Sequence, residues 1–416
     1  MSCCGEFKKT LNYVSPSHGG WGVVRVAALV PESHQLFVAP FACGRHGALG
    51  GAVNGIKDRI SYLYIEESDI VSGGYEDLIP EAVDELVEVL ERKPKVIFIF
   101  VSCLDDLLGT DHVQLNKKLS KKHQGIEFRT CHMNPISLDT KFPPPVTLQH
   151  SMYSLLKVSN TKQNSVNMIG NHIPINKKCE IFNILMENDI FLRHITDCES
   201  FEEFQNMGNS RLNIVVSPVA KYASEQMEKN LNIETILFYN SYDMDEIEKF
   251  YQQLANILNI EIDTNKYQKN AIQCMEVALK AIGDKPIAID YQSVKKPFTL
   301  AKILLDFGFH VKLIMVKEIP KFEKQSYTYI LDNYKEVEIV NALHHNMTKR
   351  YKTDEEFLCI GFDCAYATKS NHIVNIMQDE DLFGYYGIEQ LMKLMVEANE
   401  KTSDLLEIIE EAGLVI

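Results

Sequence analysis

Lys93-Pro94-Lys95-Val96-Ile97-Phe98-Ile99-Phe100-Val101-Ser102-Cys103 is the stretch on which the reading of the fold turns. Val96–Val101 is an unbroken run of β-branched and aromatic residues, as expected of a strand buried on both faces of a parallel sheet. Just before it, Glu76–Arg92 carries apolar residues at Ala82, Val83, Leu86, Val87 and Leu90, the stripe of an amphipathic helix. A helix that passes through a short turn into such a strand follows the βαβ pattern. Upstream, Leu36-Phe37-Val38-Ala39-Pro40-Phe41-Ala42-Cys43 ends a second apolar strand in the same way, and Gly44-Arg45-His46-Gly47 follows it. Cys43 and Cys103 are thus both predicted at strand tips before glycine-containing loops, where parallel sheets gather their ligands. That placement suits an iron–sulfur cluster.

The cycle of strand, loop, helix and strand recurs. Ser165–Gly170 opens a second unit, with a helix near Lys178–Asn188, strands at Phe191–Ile195 and Leu212–Val216, a helix near Ala220–Leu231 and a strand at Ile233–Phe238. A third begins at Asp284–Asp290 and continues through a helix near Thr299–Phe307, Gly308 as its C-terminal cap, and strands at His310–Val316 and Phe357–Phe362. Gly387–Ala412 reads as one or two closing helices. The expected fold class is α/β, with three Rossmann-like domains, each a mostly parallel sheet flanked by helices. Their expected bounds are 1–160, 161–283 and 284–416.

A length of 416 residues suits roughly three such units. Hydrophobic content of 45% with 24% charged residues allows a sizeable core. A net charge of −15 argues against a general binder of nucleic-acid backbones. No run approaches the length of a membrane span, and the start Met1-Ser-Cys-Cys-Gly-Glu lacks the apolar stretch of a secretory signal, so a cytoplasmic location is expected. Ten cysteines without an export signal read as buried thiols or metal ligands rather than a disulfide framework. Cys131, Cys179, Cys198 and Cys274 are expected to be packing residues. Gly44–Gly51 has the composition of a phosphate cradle but neither the spacing nor the Lys-Ser/Thr ending of a nucleotide loop. Its glycines are better explained by backbone amides drawn close to a cluster sulfide.

Three ordered motifs carry a family resemblance. Pro40-Phe41-Ala42-Cys43, then Glu66-Glu67-Ser68-Asp69-Ile70-Val71-Ser72-Gly73-Gly74, then Ser102-Cys103 with Gly109 and Asp111 resemble component 1 of nitrogenase and the nitrogenase-like reductases. The resemblance implies that Cys43 and Cys103 bind iron as thiolates, with Gly44, Arg45, His46 and Gly109 close to the cluster. The family's further cysteine falls to Cys4, to Cys3 or to neither, so the cluster is a [4Fe–4S] or a larger P-cluster-like assembly at a subunit interface. Arg45 either raises the cluster's potential or pairs with Asp105 or Asp106, and His46 could relay a proton. The family's cofactor cysteine and histidine have no counterpart in Val215-Val216-Ser217-Pro218 or in Glu380–Tyr385, so a standard dinitrogen reductase is not expected. His372 and Tyr366 are expected to line a pocket near the C-terminal end, with Cys359 and Cys364 beside them as structural thiols.

The implied partners are a second copy or a related subunit, an ATP-dependent iron-protein reductase, and a small-molecule substrate or metallocofactor. No nucleic acid and no membrane are expected. The function that follows is an oxidoreductase component accepting low-potential electrons from the iron protein. The alternatives are a scaffold for metallocluster assembly without turnover and a metal-free binding protein.

Overall fold

A computed structural model of the chain describes residues 11–15, 22–134, 140–158, 161–349, 351 and 353–411. Thirteen strands are described: β1 Ser33–Ala39, β2 Ile60–Tyr64, β3 Val96–Val101, β4 Glu127–His132, β5 Ser165–Ile169, β6 Phe191–His194, β7 Leu212–Val215, β8 Glu234–Leu237, β9 Ile287–Asp290, β10 Val311–Val316, β11 Glu338–Asn341, β12 Leu358–Ile360 and β13 His372–Val374. They form three sheets, in the orders β2-β1-β3-β4, β6-β5-β7-β8 and β11-β10-β9-β12-β13. Every pairing within them is parallel. The architecture is α/β with three parallel sheets flanked by helices, as the strand and helix periodicities predict.

The chain forms two compact units interleaved in sequence. One, Gly20–His172 with Phe191–Leu237, holds the first two sheets; the other, Met1–Gly19, Ile173–Ile190 and Phe238–Ile416, holds the third. In the first sheet β3 is buried along its whole length, which is why its sequence is unbroken in apolar character. Ile97, Ile99 and Val101 join Leu36, Val38, Ile79, Val83, Leu115 and Phe128 in one core cluster. The alternate residues point to the opposite face, where the Phe100 ring stacks on Phe37 at 4.9 Å.

Several expected elements fall within a residue or two of their observed bounds. The predicted helix Glu76–Arg92 is Tyr75–Val89, and the helix predicted at Thr299–Phe307 is Pro297–Phe307, capped by Gly308 at φ 108°. Edge strands β4, β11 and β13 carry a weaker sequence signal. In β4, Glu127-Phe-Arg-Thr-Cys-His132, only Phe128 and Cys131 are buried, so the apolar run that marks a central strand is missing. Two long helices, Met244–Leu258 and Asn265–Ile282, precede the third sheet where the strand pattern gives no cue. No helix among the described residues is long and apolar enough to cross a membrane.

The Cys43-Gly44-Arg45-His46-Gly47 segment departs from its expected form. It is not a loop but part of a helix, Phe41–Val53, that begins directly after Pro40. Gly44, Gly47 and Gly51 fall on one face of it at helical spacing. A Cβ on Gly44 would lie 3.0 Å from the Tyr64 ring, one on Gly47 3.2 Å from the Phe37 ring, and one on Gly51 2.6 Å from Ile60 Cδ1. These glycines allow the helix to lie close against β1 and β2. Gly47→Val is therefore expected to destabilise this unit by about 1–3 kcal/mol through overpacking against Phe37. A urea-unfolding midpoint equal to wild type would show that the helix does not need this close approach.

Candidate metal centre

Strand order reverses between β1 and β3 in the first sheet, since β1 leads outward to β2 on one side and β3 to β4 on the other. Open parallel sheets bind ligands at such a reversal, beyond the carboxyl ends of the two strands. The two strands are paired in register from Ser33↔Val96 to Val38↔Val101. Past that point Ser102 N donates to Val38 O at 3.3 Å, so the two strand ends leave the sheet side by side. Cys43 lies in the first turn of the helix Phe41–Val53, and Cys103 is the first residue of the helix Cys103–Leu108. Both thiols are free and half-buried. Tertiary structure thus brings the sequences around Cys43 and Cys103 to one edge of one sheet.

The amides next to Cys43 already have partners. Cys43 N and Gly44 N both donate to Pro40 O, at 2.9 and 3.1 Å, which corrects the expectation that a glycine loop turns these N–H groups toward a sulfide. The second expected loop is corrected in the same way. Cys103–Leu108 is helical, and Gly109, at φ 72°, is its left-handed terminator. Arg45 is exposed, and the carboxylates expected to pair with it are held elsewhere. Asp105, buried, accepts from the Tyr75 hydroxyl at 2.8 Å and meets His112 Nε2 at 2.5 Å. Asp106 meets His132 Nδ1 at 2.9 Å and Asn134 Nδ2 at 2.5 Å. The His46 side chain and both Cys3 and Cys4 lie outside the described residues.

Sequence reasoning missed Tyr75, His112, His132 and Asn134. The one available cue was that His132 ends β4 opposite Val101, and this required β4 to be recognised first. Donor atoms of Asp105, Asp106 and His132 lie within 4.8 Å of one another, on the same sheet edge as the thiols. Burial raises the Asp105 pKa, but the bonds from His112 and Tyr75 outweigh it and hold the carboxyl below its ordinary range.

Of the other described cysteines, Cys131, Cys179, Cys359 and Cys364 are buried, while Cys198 and Cys274 are half-buried. Cys131 is buried and its thiol is pushed up to about 12 by desolvation. Cys359 and Cys364 are fully buried; Cys359 Sγ lies 3.3 Å from Thr368 Oγ1, and Cys364 Sγ lies 3.4 Å from Gly361 O. His372 does not open onto a ligand pocket, because Nδ1 faces Ala398 O at 2.7 Å and Nε2 faces Glu356 at 3.1 Å. Tyr366 borders a void of about 10 Å³, smaller than a substrate requires.

Two segments that the resemblance aligns with cofactor ligands have other roles here. Glu380–Tyr385 leads into the helix Gly384–Glu400, and the buried Glu180 carboxylate accepts from Tyr385 N at 2.7 Å and Tyr386 N at 3.0 Å. A Cβ on Gly384 would meet Glu180 Oε1 at 2.0 Å, so this glycine makes room for the carboxylate. Val215-Val216-Ser217 is buried at the reversal of the second sheet, where Val216 N donates to Ile169 O at 3.0 Å.

The third sheet reverses between β9 and β12, and that point is filled from within. Asp290 Oδ1 accepts from Gln292 N and Ser293 N at 2.9 and 3.0 Å, and Oδ2 accepts from Asp363 N and Cys364 N at 2.7 and 3.2 Å. A carboxylate of the chain itself thus takes the amides that an anionic ligand would use.

Three parallel sheets flanked by helices, the first with a cysteine following each of its two central strands, define an α/β protein of the doubly wound kind. The chain belongs to the nitrogenase component 1 type oxidoreductase family, whose model matches residues 20–399. It is similar to the nitrogenase iron-molybdenum cofactor biosynthesis protein NifE of Clostridium pasteurianum, 24% identical over 285 residues, which are 65% of this chain and 61% of that protein. It is also similar to the protein of the same description from Methanosarcina barkeri, 32% identical over 111 residues, 26% of this chain and 22% of that protein. The chain thus spans less than two thirds of the length of these relatives. A solved structure of nitrogenase Cp1 at pH 6.5 superimposes with a TM-score of 0.70 at 15% identity, covering 94% of each chain. Nitrogenase Cp1 at pH 5 gives 0.58 at 14% identity, with 93% of this chain and 90% of that one covered. At these identities the likeness establishes the fold.

The buried carboxylates of the third-sheet unit set a pH dependence. Glu323 accepts from Thr299 N at 2.8 Å, and burial raises its pKa to about 7. Asp290 is shifted in the same direction, by burial and by the neighbouring Asp363. The folded protein keeps protons that the unfolded chain releases near pH ~4, so this stability is complete below about pH 4 and is lost as pH rises through about 7. Glu323→Gln should flatten that slope, narrowing the gap between urea midpoints measured at about pH 5 and about pH 8. A gap as wide as that of wild type would remove Glu323 from the account.

Proposed function

We propose that this chain is a scaffold on which a metallocluster is carried or assembled, bound through Cys43 and Cys103. The observation that supports this reading is that a free, half-buried cysteine follows each of the two adjacent strands at the reversal of the first sheet. The donor set fits an iron–sulfur group, since two thiolates from each of two chains make up the four that a [4Fe–4S] cluster takes. The surroundings favour a shared face. Phe41, Val71, Leu107 and Val113 are exposed on the segments that follow the first-sheet strands, and Phe41 packs against Tyr64 at 5.2 Å. Large apolar side chains left in water around a binding edge mark a surface for a second chain, either another copy or a related subunit.

Assembly is favoured over substrate reduction for two reasons. Both curated relatives are described as cofactor biosynthesis proteins. In addition, the segments aligned with cofactor ligands are given over to packing around Glu180 and the second sheet. In this role the protein's residues hold the cluster sulfurs at an apolar, water-poor face and present them to a docking partner. The bound group would supply redox chemistry and an exchangeable cluster. The family's description as an oxidoreductase supports the second reading, an electron-accepting component served by an ATP-dependent iron protein.

Anaerobically isolated protein is expected to carry about four irons and four sulfides per pair of chains. Cys43→Ala and Cys103→Ala should each lose most of that iron, while Cys198→Ala keeps it. Full iron content in both of the first two variants would eliminate the thiol assignment. Transfer of the cluster to an acceptor apoprotein, with no substrate turnover when iron protein and ATP are added, is the outcome for a scaffold; sustained turnover would favour the reductase.

A further inference from the structure

The second sheet has a reversal of its own, between β5 and β7, and the thiol site does not use it. β5 ends in Gly170, whose φ of 95° turns the chain tightly past Ser217, since a Cβ there would lie 3.1 Å from Ser217 N. His172 follows two residues later. Two side chains from distant parts of the same unit reach it. Arg25, in the helix Gly22–Ala28, donates from Nη2 to His172 O at 3.4 Å. Gln149, in the helix Pro144–Tyr153, brings Nε2 to 3.5 Å from His172 Nε2.

Gln149 is 2% exposed, and its Oε1 has no hydrogen-bond partner among the described residues. A buried amide oxygen without a donor costs free energy, and a native fold rarely leaves one so without a reason. The half-buried Arg25 guanidinium has five N–H donors, and among the described residues it makes one hydrogen bond, a long one. His172 is thus met from one side by a cation with donors to spare and from another by an amide whose acceptor lacks a donor. We propose that Arg25, Gln149 and His172 form a binding site for a small oxyanion that carries its own O–H, as hydrogen phosphate does. The anionic oxygens engage the Arg25 fork in the planar geometry that guanidinium groups favour, and the ligand's hydroxyl donates to Gln149 Oε1.

This site does not depend on the cluster reading, so its test is run on both wild type and the Cys43→Ala/Cys103→Ala double variant. Isothermal titration with inorganic phosphate, sulfate and malonate separates the chemistries. Phosphate offers both O⁻ and O–H, whereas sulfate and malonate at neutral pH offer only anionic oxygens. Phosphate should bind at least about tenfold more tightly than sulfate or malonate, the difference made by one hydrogen bond to a buried acceptor. Arg25→Gln should weaken phosphate about tenfold or more, with Arg25→Lys in between. Gln149→Met, similar in volume and without the acceptor, should keep weak binding and lose the preference for phosphate over sulfate. This is a change that a purely structural role for Gln149 would not produce. Absence of phosphate binding to wild type, equal binding of phosphate and sulfate, or unaltered binding in a folded Arg25→Gln protein would each overturn the proposal.

Discussion

The first sheet depends on the burial of β1 and β3 side by side. Both strands are buried on both faces, so helices must cover the sheet above and below. Parallel strands also require crossover connections, and those leaving β1 and β3 run to opposite sides of the sheet. The chain is thereby parted at one point on the carboxyl edge, and the residues just past the two strands are left beside each other. Cys43 and Cys103 follow these two strands on the same edge, although sixty residues of chain separate them.

Close packing around that edge accounts for a feature whose sequence suggests something else. The glycines of the helix Phe41–Val53 lie along one face against Phe37, Tyr62, Tyr64 and Ile60. The same glycine-rich composition that resembles a phosphate cradle on paper serves here to bring a helix close to a sheet lined with aromatic rings. Carboxylates play a comparable structural part elsewhere. Glu180, Glu323 and Asp290 each reach backbone amides at a helix N-terminus or a sheet reversal, satisfying from within groups that a ligand could otherwise use. The third sheet is closed at its reversal by such a residue. No carboxylate is described in that role at the reversals of the first and second sheets among the described residues.

Family membership and the local chemistry together narrow the range of functions. The fold matches solved nitrogenase structures over nearly the whole chain, while sequence identity to them is low. Where the resemblance aligns cofactor ligands, this chain has Ser217 and a glycine that accommodates Glu180. A scaffold needs a place to hold and hand over a cluster more than it needs a second reactive centre, and the proposed function assigns that place to the edge where Cys43 and Cys103 lie.

The α/β class and the central strands were legible from sequence because they rest on local physics. An unbroken apolar run such as Val96–Val101 can only be a doubly buried segment, and a helical stripe such as Ala82–Leu90 has one buried face whatever it packs against. Edge strands such as Glu127–His132 were not legible, since half their side chains face outward and dilute the periodicity. Tertiary structure alone decided that Gly44–Gly51 is helical, that His132 reaches Asp106, and that Arg25, Gln149 and His172 meet. Each of these rests on contacts between residues far apart in the chain, and such contacts leave no spacing in the sequence to read.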